Sequence, residues 1–184
     1  MGTVPSSDER FRTLYEEHYA DIRSYCLRRL PVDAAADAAS EIFTIAWRKL
    51  DSVPDGAQAR PWLFTVARNV VANQRRSKVR AHRLRSKAEY AEEPPVDSAV
   101  ESVVVRNAEY QAALDALSRL KPIDQELLRL RIWEDLSHAE IGEVLGISSH
   151  AVTMRLKRAT GRLAKLLTVK SRVRPHPIAE GGES

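Results

Sequence analysis

The chain has 184 residues, 29 Lys and Arg against 25 Asp and Glu, a formal net charge of +4 and 43% hydrophobic residues. That length holds one domain or two small ones, and the basic balance points to a polyanionic partner. The single cysteine, Cys26, excludes an internal disulfide and a cysteine-based zinc cluster. No apolar run approaches the roughly 20 residues that cross a bilayer, and the opening MGTVPSSDER lacks the apolar core of a secretory signal. A cytoplasmic protein without membrane insertion is expected.

In chain order, Glu9 to Leu30 places Phe11, Leu14, Tyr15, Ile22, Cys26 and Leu30 along one helical side, with Arg28 and Arg29 elsewhere. Pro31 ends that helix. A second runs from about Asp33 to Leu50, with Ala35, Ile42, Phe43, Ala46 and Trp47 inward and Asp37, Glu41, Arg48 and Lys49 on the opposite, mixed-charge side. The segment DSVPDGAQAR breaks the pattern, and Pro61 suits the first turn of a third helix carrying Trp62, Leu63, Val66, Ala67, Val70 and Val71. Three helices with short connections make a small bundle. From Gly56 to Ala88 there are nine Lys or Arg residues and no acid, a cationic surface that includes Arg60, Arg68, Arg75 and Arg76 beside Asn69 and Asn73. Taken on this helix alone, a solvated face explains those residues as well as contact with nucleic acid does.

The composition then reverses. EYAEEPPVDSAVE holds five acids and no Lys or Arg, so residues 89–102 read as an acidic, proline-containing flexible linker. Helical spacing resumes with Tyr110, Leu114, Leu117 and Leu120, and Pro122 opens a helix holding Ile123, Leu127, Leu128, Leu130 and Ile132. Ser137 and Glu140 have the spacing of a capping box, and Gly146 stands where a left-handed residue ends a short helix. Ser148 is a cap for a second helix whose apolar residues Val152, Leu156, Ala159 and Leu163 share one face. From Ser148 to Arg174 there are eight Lys or Arg residues and no acid. A helix in the major groove needs short polar side chains near its start for base edges and cations behind them for phosphates. Ser149, His150 and Thr153 hold the early positions, with Arg155, Lys157 and Arg158 behind them. The expected fold is all-α: an N-terminal helical domain over 1–88, the linker over 89–102, a helix-turn-helix domain over 103–168 and a disordered tail over 169–184.

These features, in this order, resemble the extracytoplasmic function (ECF) group of bacterial RNA polymerase sigma factors in the sigma-70 family. FRTLYEEHYADIRSYCLRRL resembles the family's opening helix, and DAASEIFTIAWRKLDSV with ARPWLFTVARNVVANQRR resembles its core-binding and minus-ten-reading segments. LKPIDQELLRLRIWEDLSHAEIGEVLGISSHAVTMRLKRA resembles its minus-thirty-five-reading domain. The resemblance implies a sigma factor that binds core RNA polymerase, directs it to particular promoters and helps open the DNA. By it, Asp37, Glu41, Arg48 and Lys49 would dock on polymerase. Arg60, Arg68, Asn69, Asn73, Arg75 and Arg76 would hold the melted minus-ten strand, and Ser149, His150, Thr153, Arg155, Lys157, Arg158 and Arg162 the duplex minus-thirty-five element. An anti-sigma factor is an expected partner as well. The chain departs from the family's habit at Ser40 (usually Gln), Asn73 (Asp), Gly142 (Ala), Met154 and Thr160.

Two other classes remain to be weighed. A helix-turn-helix regulator acting on duplex DNA without polymerase explains the C-terminal half equally well, but not a second acid-free basic stretch on the N-terminal bundle. An enzyme is not expected. The five histidines, His18, His82, His138, His150 and His176, are dispersed, with no metal-binding spacing, carboxylate pair or nucleophile elbow, so no catalytic residue, metal or cofactor is assigned.

Overall fold

A computed structural model describes residues 6–86 and 108–172, and the expected linker and tail fall largely outside them. Seven helices follow one another: α1 (Ser7–Leu27), α2 (Val32–Arg48), α3 (Ala59–Ser86), α4 (Ala108–Ser118), α5 (Pro122–Ile132), α6 (His138–Leu145) and α7 (Ser149–Arg172). Two short 3-10 turns, Leu50–Ser52 and Gly56–Gln58, join α2 to α3. Among the described residues there is no strand, in keeping with an all-α fold of two small helical domains.

Each start has a local cause. α1 begins one turn earlier than its apolar pattern does, because Ser6 and Glu9 close a capping box in which each side chain bonds the other's backbone amide. It ends at Leu27, short of the expected Leu30, and Leu30 instead packs into the core just beyond the helix. α2 stops at Arg48. α5 starts on Pro122, whose missing amide hydrogen costs nothing in a first turn.

The N-terminal three-helix bundle buries Leu14, Ile22, Tyr25, Ala35, Ala38, Ile42, Phe43, Ala46, Leu63, Phe64 and Ala67. Cys26 is fully buried there, and burial pushes its thiol up to about 12, so it is a core-filling side chain. The helix-turn-helix half buries Leu127, Leu130, Leu136, Ile141, Val144, Val152, Leu156 and Ala159, and its core is continuous with that of the bundle, α6 lying against α3. Three expectations fail. Trp47 is 45% exposed and Ile132 64% exposed, although each keeps apolar spacing, because spacing aligns a stripe without supplying a neighbour to cover it. Arg29, placed off the apolar side of the first helix, nonetheless has only 1% of its side chain exposed.

Candidate nucleic-acid interface

The C-terminal surface is built on the turn between α6 and α7. Ser137 accepts from the Glu140 amide and Glu140 accepts from the Ser137 amide at 2.8 Å. Gly146 takes φ +65°, a left-handed conformation that glycine adopts without steric cost. Gly142 has a different task. A β-carbon on it would lie 2.7 Å from the Ile147 carbonyl oxygen, so its bare backbone lets the turn close tightly on α6. The Ile147 amide then donates to the Gly142 carbonyl at 2.9 Å. Ser148 accepts from the Ala151 amide at 3.2 Å and caps α7 as its sequence implies.

α7 buries Val152, Leu156 and Ala159 and exposes Ser149, His150, Thr153, Arg155, Lys157, Arg158 and Arg162. The expected base-reading and phosphate-binding residues therefore share the outer side of one helix. Thr153 donates to the Ser149 carbonyl at 3.0 Å, and its oxygen lies 2.9 Å from Nδ1 of His138, which ties the start of α7 to the start of α6. Arg158 donates to the Met154 carbonyl. Arg162 is bound to the buried Asp124 at 2.7 Å, so part of its guanidinium serves to fasten α7 to α5.

The N-terminal basic surface lies along α3. Arg68 is half-buried, while Asn69, Asn73, Arg75 and Arg76 are exposed, Arg76 donating to the Asn73 side-chain oxygen at 2.5 Å. The loop that leads into α3 is pinned by Arg10, which donates to the Leu50 and Val53 carbonyls and pairs with Asp55 at 2.8 Å. On α2, Asp37, Glu41 and Arg48 are exposed and stand opposite the buried alanines, and Lys49, exposed as well, caps the helix at its C-terminal end. Beside them an open aromatic groove runs between α1 and α2, lined by Phe11, Tyr15, Tyr19, Phe43 and Trp47, with Tyr15 stacked on Tyr19 at 4.8 Å.

Arg60 stands apart from the other cations of α3. It donates to the Glu134 carbonyl at 2.7 Å and to Asp21 at 3.2 Å, and it lies 3.9 Å from Glu140. Its neighbours form a charged seam that the sequence reading did not find. Arg29 pairs with Glu134 at 3.0 Å and with Glu126 at 3.0 Å, while Arg28 pairs with Glu134. Tyr25 donates its hydroxyl to Glu126 at 3.1 Å and lies beneath the Arg29 guanidinium, 3.6 Å from ring centre to cation. Arg75 donates to the Arg29 carbonyl at 2.9 Å. Burial by itself disfavours the Arg29 charge, but Glu126 and Glu134 outweigh it and raise its pKa further. Burial and the Glu126 carboxylate raise the Tyr25 phenol as well, so it stays a hydrogen-bond donor. The partners lie about a hundred positions apart in sequence, and no local pattern marks them.

Among the described residues, no group of three or more His, Cys, Asp or Glu is placed to hold a metal. Among the described residues no helix is long and apolar enough to cross a membrane.

Comparison with known proteins gives a consistent picture. Residues 14–81 match the sigma-70 region 2 family and residues 110–163 the sigma-70 region 4 family. The RNA polymerase sigma factor YlaC of Bacillus subtilis is 33% identical over 161 residues, covering 86% of this chain and 92% of YlaC. The ECF RNA polymerase sigma factor SigL of Mycobacterium tuberculosis is 31% identical over 171 residues, covering 88% and 91%. The ECF RNA polymerase sigma factor BldN of Streptomyces coelicolor is 33% identical over 162 residues, 86% of this chain, which spans only 61% of BldN. Among solved structures, the sigma factor RpoE bound to the anti-sigma factor NepR from Bartonella quintana superposes with a TM-score of 0.63 at 24% identity, over 86% of this chain and 97% of RpoE. CnrH in complex with the cytosolic domain of CnrY gives 0.59 at 24% identity, over 86% and 88%. At that identity these two structures speak for the fold, whereas the sequence matches place this chain in the ECF group of sigma-70 family RNA polymerase sigma factors.

Proposed function

We propose that this protein is an alternative sigma factor that binds core RNA polymerase, brings it to particular promoters and assists DNA opening, without itself catalysing a reaction. One observation carries the reading: the region-2 half and the region-4 half each present a helix with a row of exposed cations, on α3 and on α7. Phosphate contacts supply affinity and position, while base edges and unstacked bases supply sequence. The start of α7, at Ser149, His150, Thr153 and Arg155, reads the duplex minus-thirty-five element. Lys157, Arg158 and the free part of Arg162 hold phosphates. Arg60, Arg68, Asn69, Asn73, Arg75 and Arg76 take the melted minus-ten strand. A base must leave the stack to be read there, which costs a few kcal/mol, so opening belongs to recognition.

Asp37, Glu41, Arg48 and Lys49 form the polymerase-docking face, whose mixed charge suits a protein surface better than DNA. The site of action is the cytoplasm. The charge reversal Asp37→Arg with Glu41→Arg is expected to weaken binding to purified core polymerase by more than tenfold while helix content stays unchanged. Wild-type affinity in that variant would remove α2 from the docking face. An anti-sigma protein is the expected inhibitory partner, since two free cationic surfaces bind DNA without discrimination. Affinity capture from native cells should return such a protein, and recovery of polymerase subunits alone would argue against one.

A further inference from the structure

One polar contact beside the turn is required neither by the capping of α6 nor by the packing of α7. His138, the first residue of α6, places Nδ1 2.9 Å from the Thr153 hydroxyl oxygen, and that hydroxyl donates to the Ser149 carbonyl at 3.0 Å. Both side chains are exposed. The cap of α6 is complete without them, since Ser137 and Glu140 bond each other's amides. A bond between two exposed side chains adds little stability, because water replaces either partner. What it supplies is orientation, on the helix face that holds the base-reading residues.

The orientation follows from counting hydrogens. A hydroxyl has one hydrogen and two lone pairs, so three directions surround its oxygen. The Thr153 hydrogen is spent on the carbonyl four residues back, a bond that also holds the side-chain rotamer. The contact with His138 is then a hydrogen bond only when Nδ1 carries the ring hydrogen and donates it to a lone pair of the oxygen. One direction is left, and it carries a lone pair. Among the described residues nothing occupies it. Thr153 therefore meets DNA as an acceptor and not as a donor. An acceptor repels phosphate oxygens, and in the major groove it also repels the keto oxygens of thymine and guanine. Its match is the exocyclic amino group of adenine or cytosine.

We propose that His138 is a specificity-determining positioning residue of the minus-thirty-five interface, which by donating to Thr153 fixes that hydroxyl as an acceptor and so selects an amino base, adenine or cytosine, on one strand at one position. The inference rests on the reading of α7 as the helix that enters the duplex. Without His138 the hydroxyl hydrogen is free to turn outward, and the same oxygen then serves amino and keto bases alike. A mechanical tie between the helix starts would act differently, since its loss weakens binding to every sequence equally.

The test assembles the full-length protein with purified core polymerase and selects from a duplex library randomised over the upstream element, the bound fraction being sequenced. Wild type should show one position where adenine or cytosine on one strand is preferred over guanine or thymine by about tenfold. His138→Ala should reduce that preference to below about threefold and leave the other positions as they were. His138→Asn, which restores a donor near the place of Nδ1, should recover it. Thr153→Ser should keep the preference and Thr153→Val should abolish it, with no further change when His138→Ala is added. An unaltered preference in His138→Ala, or an equal loss at every position, overturns the proposal. The hydrogen bond is read separately in the free full-length chain, from the nitrogen NMR shifts of the His138 ring in mildly alkaline buffer. Wild type should carry its hydrogen mainly on Nδ1, and Thr153→Val should move it toward Nε2. Equal tautomer ratios in the two overturn the proposal. A wild-type protein that shows this ring state yet enriches no sequence would count against the promoter reading, and the proposed base selection would fall with it.

Discussion

Arg60 and Arg162 have the same chemistry and were assigned the same kind of task, yet the fold uses each of them internally. Arg162 is half-exposed and clamps Asp124, and Arg60 lies in the seam. Nothing within a few positions of either residue announces its partner, which in each case sits on another helix. At the start of α7 the division of labour is sharper. His150→Ala and Thr153→Ala should change which minus-thirty-five sequences are preferred. Lys157→Ala should weaken binding to every sequence alike and lower the salt slope by about 1. Competition binding on a panel of duplex variants separates these, and equal effects from all three would contradict the assignment. His18 provides a second residue-scale check. Burial lowers its pKa below 6.5, so between 6.5 and the lower folded value the unfolded chain binds more protons than the folded one, and stability is lost as pH falls through that window. NMR titration of the ring should give a midpoint under 6.5, and His18→Gln should flatten the stability profile there. A midpoint above 6.5 would mean that the carboxylates of Glu17 and Asp21 dominate.

For the elements, the local signals were legible and the non-local ones were not. Ser137 and Glu140 lie three positions apart, so their reciprocal bonds could be read from spacing, as could the left-handed Gly146. Ser137→Ala is expected to cost about 1 kcal/mol, measured by denaturant unfolding, and no change would mean that α6 is held by its packing alone. Gly142 looks in sequence like a flaw, since Ala favours a helix by about 1 kcal/mol. The structure shows the Ile147 carbonyl where the β-carbon would go. Gly142→Ala should therefore fall short of that gain, and recovery of the full amount would show that the turn yields freely. Trp47 and Ile132 illustrate the opposite limit. Their periodicity is correct for a buried stripe, but whether a stripe is covered depends on elements far away in the chain.

In the whole molecule, the two basic stretches, the acidic interval between them and the order of helices were enough to suggest the family and its division into two helical parts. The way those parts close was hidden, because Arg29 and Glu134 lie 105 positions apart and each belongs to an otherwise ordinary helix or turn. That closure engages Arg28, Arg29 and Arg60 in ion pairs with Glu126, Glu134 and Glu140. The central claim is that this protein confers promoter choice on polymerase. It is tested most directly by run-off transcription with purified bacterial core polymerase, with and without the protein, on promoter fragments that include the region upstream of its own gene. New transcripts with defined start sites, dependent on the protein, are expected. No protein-dependent transcript, together with stable binding of duplex fragments by the protein alone, would contradict the sigma function and favour a regulator that works without polymerase.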